Sequence, residues 1–275
     1  LSTLSLLTTA LAVAEPGGKP VIRYQPVAIK GVCAWPNLTL LPDGSVVAVI
    51  YNQPSHGQMA GDVECWGTED GGRTWEKRGI VAARPDEESN RMNVAAGLAG
   101  NGDLIAVVSG WAKVAEGFEK ILGSLVCRSS DGGRTWRVTS DLAAVPDPAL
   151  PAGGITVPFG DILPGADGKL RLCHYSADSY VTFVSTSLDD GMSFVKPVKL
   201  GENTNETALL HLGNKRWLAA ARTRDPADIH LYRSEDDGAT WADQGAVTRA
   251  RQHPGHLLRL ADGRLLLTYG DRVPE

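Results

Sequence analysis

Thr68-Glu69-Asp70-Gly71-Gly72-Arg73-Thr74-Trp75 is the phrase that decides the fold, because the chain repeats it three more times. The other copies are Ser129-Ser130-Asp131-Gly132-Gly133-Arg134-Thr135-Trp136, Ser187-Leu188-Asp189-Asp190-Gly191-Met192-Ser193-Phe194 and Ser234-Glu235-Asp236-Asp237-Gly238-Ala239-Thr240-Trp241. All read Ser/Thr-x-Asp-x-Gly-x-Thr/Ser-aromatic and start 61, 58 and 47 residues apart, so one supersecondary unit is copied along the chain. The box has the chemistry of a tight turn: an Asp carboxylate accepts nearby backbone N–H groups, and Gly allows a positive φ. The closing aromatic opens the next strand and can bury its ring between layers.

Strand-like runs precede each box, as in Asp62-Val63-Glu64-Cys65-Trp66 and Tyr180-Val181-Thr182-Phe183-Val184. Each box therefore joins the last two strands of an antiparallel unit. A second repeat alternates with it: Asp43-Gly44, Asn101-Gly102, Asp167-Gly168, Gly213-Asn214 and Asp262-Gly263 all sit between apolar runs, a strong hairpin signal. One hairpin of each kind makes four strands, one propeller blade. Five first hairpins and four boxes predict an all-β fold of about four and a half blades, from residue 31 to 275, part of a larger ring.

The 275 residues can bury a sizeable core, and a net charge of -5 without a basic patch argues against nucleic acid as a partner. Leu1 to Ala14 is apolar with Ser and Thr and ends Ala12-Val13-Ala14, which predicts the remnant of a secretory signal and hence a secreted or periplasmic protein. Fourteen residues are too few to span a bilayer, and residues 15–30 read as a lead-in segment. Cys65 and Cys127 occupy nearly equivalent strand positions and are expected in the core; a Cys33–Cys65 disulfide is the alternative open to an exported chain. Neither His-Glu-x-x-His nor a Cys/His cluster occurs, so no metal or other cofactor is expected.

Boxes of this type alternating with Asp-Gly hairpins resemble the sialidase (neuraminidase) superfamily of six-bladed propellers. The resemblance implies an incomplete six-bladed β-propeller, a glycan substrate and a site at the central depression, with the box aspartates outside it. It also implies roles for Glu206 and Arg222, sixteen residues apart across a hairpin: a base beside the nucleophile and a guanidinium facing the pocket. Sialidases use a tyrosine nucleophile, which a glutamate activates, while arginines grip the substrate carboxylate in paired, charge-assisted hydrogen bonds. The activity so implied is release of a terminal sialic-acid-like or other acidic sugar by an exported, monomeric hydrolase.

Departures from that pattern are also legible. Gly31-Val32-Cys33-Ala34-Trp35-Pro36-Asn37 stands where the opening arginine is expected, and Arg23 lies too early to replace it. Asn93 stands where the acid/base aspartate is expected, and an amide cannot cycle a proton as a carboxyl does. Asp62 is the preferred replacement, ahead of Asp86, Glu87 and Glu88, with His56 in a small-residue loop as a substrate-binding or basic neighbour. Asn93 and Arg91 complete the expected substrate-binding set with Arg222 and His56. The tyrosine and last arginine are expected beyond the chain rather than at Tyr269 or Arg272. Trp35 and Trp111 are expected in the core, with a sugar platform as the alternative; His174, Tyr175, His253 and His256 read as blade-edge or loop residues. A carbohydrate-binding propeller without catalysis, or a lyase using His and Tyr, are the competing functions.

Overall fold

The structure is a computed structural model that describes residues 12–13, 21–22, 26–115, 118–141 and 157–273. The expected signal remnant lies outside the described residues, apart from β1 (Ala12–Val13), whose backbone pairs antiparallel with β2 (Val21–Ile22). Everything else described is strand, turn or loop, in successive antiparallel meanders. The first blade is β3 (Ala34–Leu40), β4 (Val46–Tyr51), β5 (Val63–Thr68) and β6 (Glu76–Ala82). The second is β7 (Ser89–Leu98), β8 (Leu104–Ala115), β9 (Phe118–Ser129) and β10 (Arg137–Asp141). The third opens with β11 (Val157–Pro158) and β12 (Gly160–Pro164), both on β13 (Leu170–Ser176), then β14 (Val181–Thr186) and β15 (Val195–Glu202). The fourth is β16 (Thr204–Gly213), β17 (Arg216–Thr223), β18 (Ile229–Ser234) and β19 (Ala242–Ala246). A hairpin of β20 (Gln252–Arg259) and β21 (Leu265–Asp271) starts a fifth.

The four boxes build the same turn. In the first, Asp70 Oδ1 accepts the Thr68 hydroxyl at 2.9 Å and the Arg73 and Thr74 N–H groups, while Thr74 Oγ1 donates to Oδ2 at 2.6 Å. The Gly72 N–H closes back on Thr68 Oγ1 at 2.9 Å. Asp131 repeats the set, and Asp189 and Asp236 repeat its hydroxyl bonds and the Ser193 or Thr240 N–H; these bonds hold Asp131 down at a pKa of about 2, the Thr135 hydroxyl and N–H being the largest causes. All four boxes join third and fourth strands, so their aspartates are structural.

The cores lie between blades. Val47, Val49, Cys65, Leu104, Val108 and Cys127 join blades one and two, with Trp136 of the second box packed against them. Phe194 of the third box and Trp241 of the fourth do the same one blade further along each time. Guanidinium groups tie neighbours together at matching places: Arg78 donates to Gly132 O at 2.9 Å, Arg128 to Asp190 O at 2.8 Å and Arg171 to Asp237 O at 3.3 Å. Each acceptor is the fourth residue of the next blade's box. At the centre, β12 runs parallel to β7, pairing Gly160 with Ala95 and Ile162 with Gly97. Only glycine fits at 97, where a Cβ would lie 2.1 Å from the Ile162 carbonyl oxygen.

Cys65 and Cys127 are fully buried, and burial pushes both thiols up to about 12; Cys33 is exposed and all are free thiols, with no Cys33–Cys65 bond. Among the described residues no helix is long and apolar enough to cross a membrane.

Candidate functional site

The innermost strands share an irregularity near their start. Register slips between Ala34 and Asn37 on β3, Arg91 and Asn93 on β7, Thr204 and Thr207 on β16, and Gln252 and Gly255 on β20. Phe159 interrupts the third blade between β11 and β12. A bulge leaves residues unpaired and re-aims their side chains. Trp35, with a φ of 46°, Met92, Phe159 and Glu206 all fall in these breaks, and all four line one cavity at the mouth of the ring.

That cavity has a volume of about 220 Å³, and His56, Gly57, Asn93, Val94, Trp111, Glu119 and Tyr175 complete its wall. Glu206, 9% exposed at its side chain, accepts Arg222 Nη1 at 2.7 Å. The bulge makes the pairing possible: Asn205 and Glu206 together face the single residue Arg222. Locally the turn is fixed by Asn205, whose side chain accepts the Glu206 N–H at 2.8 Å and whose carbonyl accepts Thr207 Oγ1 at 2.6 Å. Tyr175 is coupled to the pair. Burial, and then the charge of Glu206, raise its pKa, with Arg222 pulling the other way.

His56 meets the Trp35 ring edge-on, centroids 4.8 Å apart at 73°. Asn93 donates to Ser109 Oγ at 3.3 Å. Trp111 and Glu119 come from an extension of the second blade, whose β8 and β9 run to 12 residues each and rise past the other blades' strands. His253, in the β20 break, is 4% exposed and lies close enough to Arg222 to feel its charge; burial first, then Arg222, lowers its pKa to about 4.

Of the six residues expected at the site, the structure brings Glu206, His56 and Asn93 to the cavity and sets Arg222 behind Glu206. The other two lie elsewhere. Asp62 is clasped by Arg84, whose N–H and Nη1 reach it at 2.8 and 3.0 Å, because it opens β5 beside the descending end of β6. Arg91 is buried and its Nη1 donates to Gly123 O at 2.7 Å, so its charge is used inside the second blade. Trp35 and Trp111 are half-buried in the cavity wall rather than packed in a core, and Tyr175 is a wall residue rather than a blade edge. Burial lowers the pKa of His174 to about 3; it is a core residue bonded to Ser185 Oγ at 2.9 Å. Arg224 stacks over Tyr180 at 4.1 Å. Among the described residues no three His, Cys, Asp or Glu side chains cluster to hold a metal ion.

A succession of box-bearing antiparallel blades with Glu206 in the cavity wall and Arg222 bonded to it defines a sialidase-type propeller. The chain belongs to the BNR repeat-like domain family, whose model matches residues 38–274. Among curated proteins none matches. Among solved structures, a protein of unknown function from Dyadobacter fermentans is 23% identical with a TM-score of 0.69, over 88% of this chain and 76% of that one. The Hadza microbial sialidase is 17% identical with a TM-score of 0.69, over 91% and 57%. Trypanosoma rangeli sialidase in complex with sialic acid is 14% identical with a TM-score of 0.63, over 94% and 46%. The chain thus spans about half the length of these sialidases. At such identities the likeness shows the fold.

Proposed function

We propose that the protein is a glycoside hydrolase of sialidase type, which takes one terminal sugar of a glycan into the cavity at the ring mouth. The observation that carries the reading is Glu206, bulged into the cavity and fixed by Arg222 at 2.7 Å. In this role the carboxylate accepts a proton from the attacking group, and Arg222 orients it. Arg222 stands behind Glu206 rather than in the cavity wall, so its part is to hold that carboxylate in place. The cavity, about 220 Å³, is smaller than the ~300–1,000 Å³ typical of drug-sized ligands, which fits a single ring. Trp35 and Trp111 supply the faces against which a sugar packs. Export, expected from Leu1 to Ala14, and a monomeric state belong to the same proposal.

Two rival readings have their own support. Asn93, an amide in the cavity wall, favours binding without turnover. His56 and Tyr175 in the same wall favour lyase chemistry on a uronic acid. A panel of aryl glycosides, with sialosides and uronosides included, separates them. We expect release of the aryl alcohol by the wild-type chain and a loss of about 10²-fold or more in Glu206→Gln, the span typical of a lost general base. Equal turnover by the variant rules out the base role; binding without release, or an unsaturated sugar product, supports one rival or the other.

A further inference from the structure

We infer that Glu119, on the hairpin that overhangs the cavity, is the proton donor to the departing sugar oxygen. This rests on the hydrolase reading above and supplies the carboxyl group that Asn93 cannot. Glu119 lines the same cavity as Glu206 and Asn93. It arrives there through register. In the extension Trp111 pairs with Ile121, and Lys113 with Glu119. Residues two apart on a strand share a face, as do direct cross-strand partners, so Trp111, Lys113, Ile121 and Glu119 occupy one face of the hairpin. Trp111 and Glu119 on that face both reach the cavity wall.

The hairpin is held in place at its root. The Trp111 N–H donates to Asn90 Oδ1 at 3.0 Å, and the Lys113 N–H to Glu88 O at 2.9 Å. Lys113 also directs its ammonium to Glu88, Nζ–Oε2 3.6 Å, instead of neutralising the glutamate directly opposite it. A carboxyl from the second blade and one from the fourth thus share one sugar-sized space. Glycoside hydrolysis needs two such groups. Asp62, the acid expected from sequence, is tied to Arg84 and lies outside that space.

The step balances as follows. Glu119 gives its proton to the glycosidic oxygen as the anomeric C–O bond breaks, and the bonding pair leaves with that oxygen as an alcohol. In a sialidase-type site a tyrosine hydroxyl bonds to the anomeric carbon and passes its proton to the Glu206 carboxylate. Water then bonds to that carbon and gives a proton to Glu119, while the departing tyrosine oxygen takes the proton back from Glu206.

Leaving-group dependence tests the assignment. A dinitrophenyl group departs without protonation, whereas a sugar or alkyl alcohol requires it. Glu119→Gln should lower kcat/KM for a sugar leaving group by about 10²–10³-fold and that for the dinitrophenyl glycoside by less than tenfold. Lys120→Gln, on the opposite face of the hairpin, should change neither. Equal losses on both substrates, or no loss on either, overturn the role of Glu119 while leaving the hydrolase reading intact. A wild-type chain that turns over no glycoside overturns both.

Discussion

Glu206 shows how one residue can be placed by its neighbours rather than by its own strand. Its spacing to Arg222 is readable in sequence because the two lie across a short hairpin, and His56 and Asn93 are readable from small-residue loops and the strand start. Phe159 and Glu119 are not, because they reach the cavity through a break between strands and an extended hairpin, which depend on backbone register; Tyr175 is not, because its regular strand reads like any other. A second residue-scale consequence concerns pH. His174 and His253 are buried, with pKa values lowered to about 3 and about 4. In the unfolded chain both bind protons near pH 6.5, so between about 6.5 and 4 the unfolded state holds more protons. Stability is therefore present above 6.5 and falls as pH drops, by up to about 1.4 kcal/mol per pH unit for each histidine. Urea unfolding should show that slope, and His174→Gln should remove about half of it. A slope unchanged in the variant would contradict the burial of a neutral ring.

At the scale of elements, the boxes are the part most legible in the chain: Ser/Thr, Asp and Gly each have one bond or one φ to satisfy. What the repeat does not reveal is that the second, third and fourth boxes also clamp the blade before them. Gly133 stands at a φ of +90°, and a Cβ there would lie 2.4 Å from the Cys65 sulfur of the first blade. Gly133→Ala therefore strains the turn and pushes two blades apart, costing about 2 kcal/mol or more. A fall in melting temperature of roughly 5 °C or more should follow. An unshifted melt would show that box and blade are not in contact. The length of β8 and β9 is likewise invisible in a pattern of apolar residues, since the extension is partly exposed and packs on no core.

Across the whole molecule, three innermost strands meet at the axis. Asp161 on β12 accepts Asn37 Nδ2 of β3 and His256 Nε2 of β20, each at 3.1 Å, and Asn37 Nδ2 also reaches Gly160 O at 2.6 Å. The repeats predict the succession of blades; this cross-tie escapes them, because its members lie 95 to 124 residues apart. The bond to Asp161 raises the His256 pKa. A raised folded value means the stabilisation is present below about 6.5 and is lost as pH rises through the folded value. The half-exposed imidazole limits the effect to about 1 kcal/mol or less. Amide exchange of β20 and β21, corrected for intrinsic rates, should speed up on that side, and Asp161→Asn should remove the pH dependence. Persistence in the variant would place the cause elsewhere.

In the proposed function the cavity receives one sugar ring between the tryptophans and Glu206. Crystals of the Glu206→Gln chain soaked with an aryl sialoside or uronoside test it most directly. The sugar is expected in the cavity, against Trp35 and Trp111, with its glycosidic oxygen toward Glu119. Sugar bound only elsewhere on the ring, or a cavity left empty at saturating ligand, would contradict it.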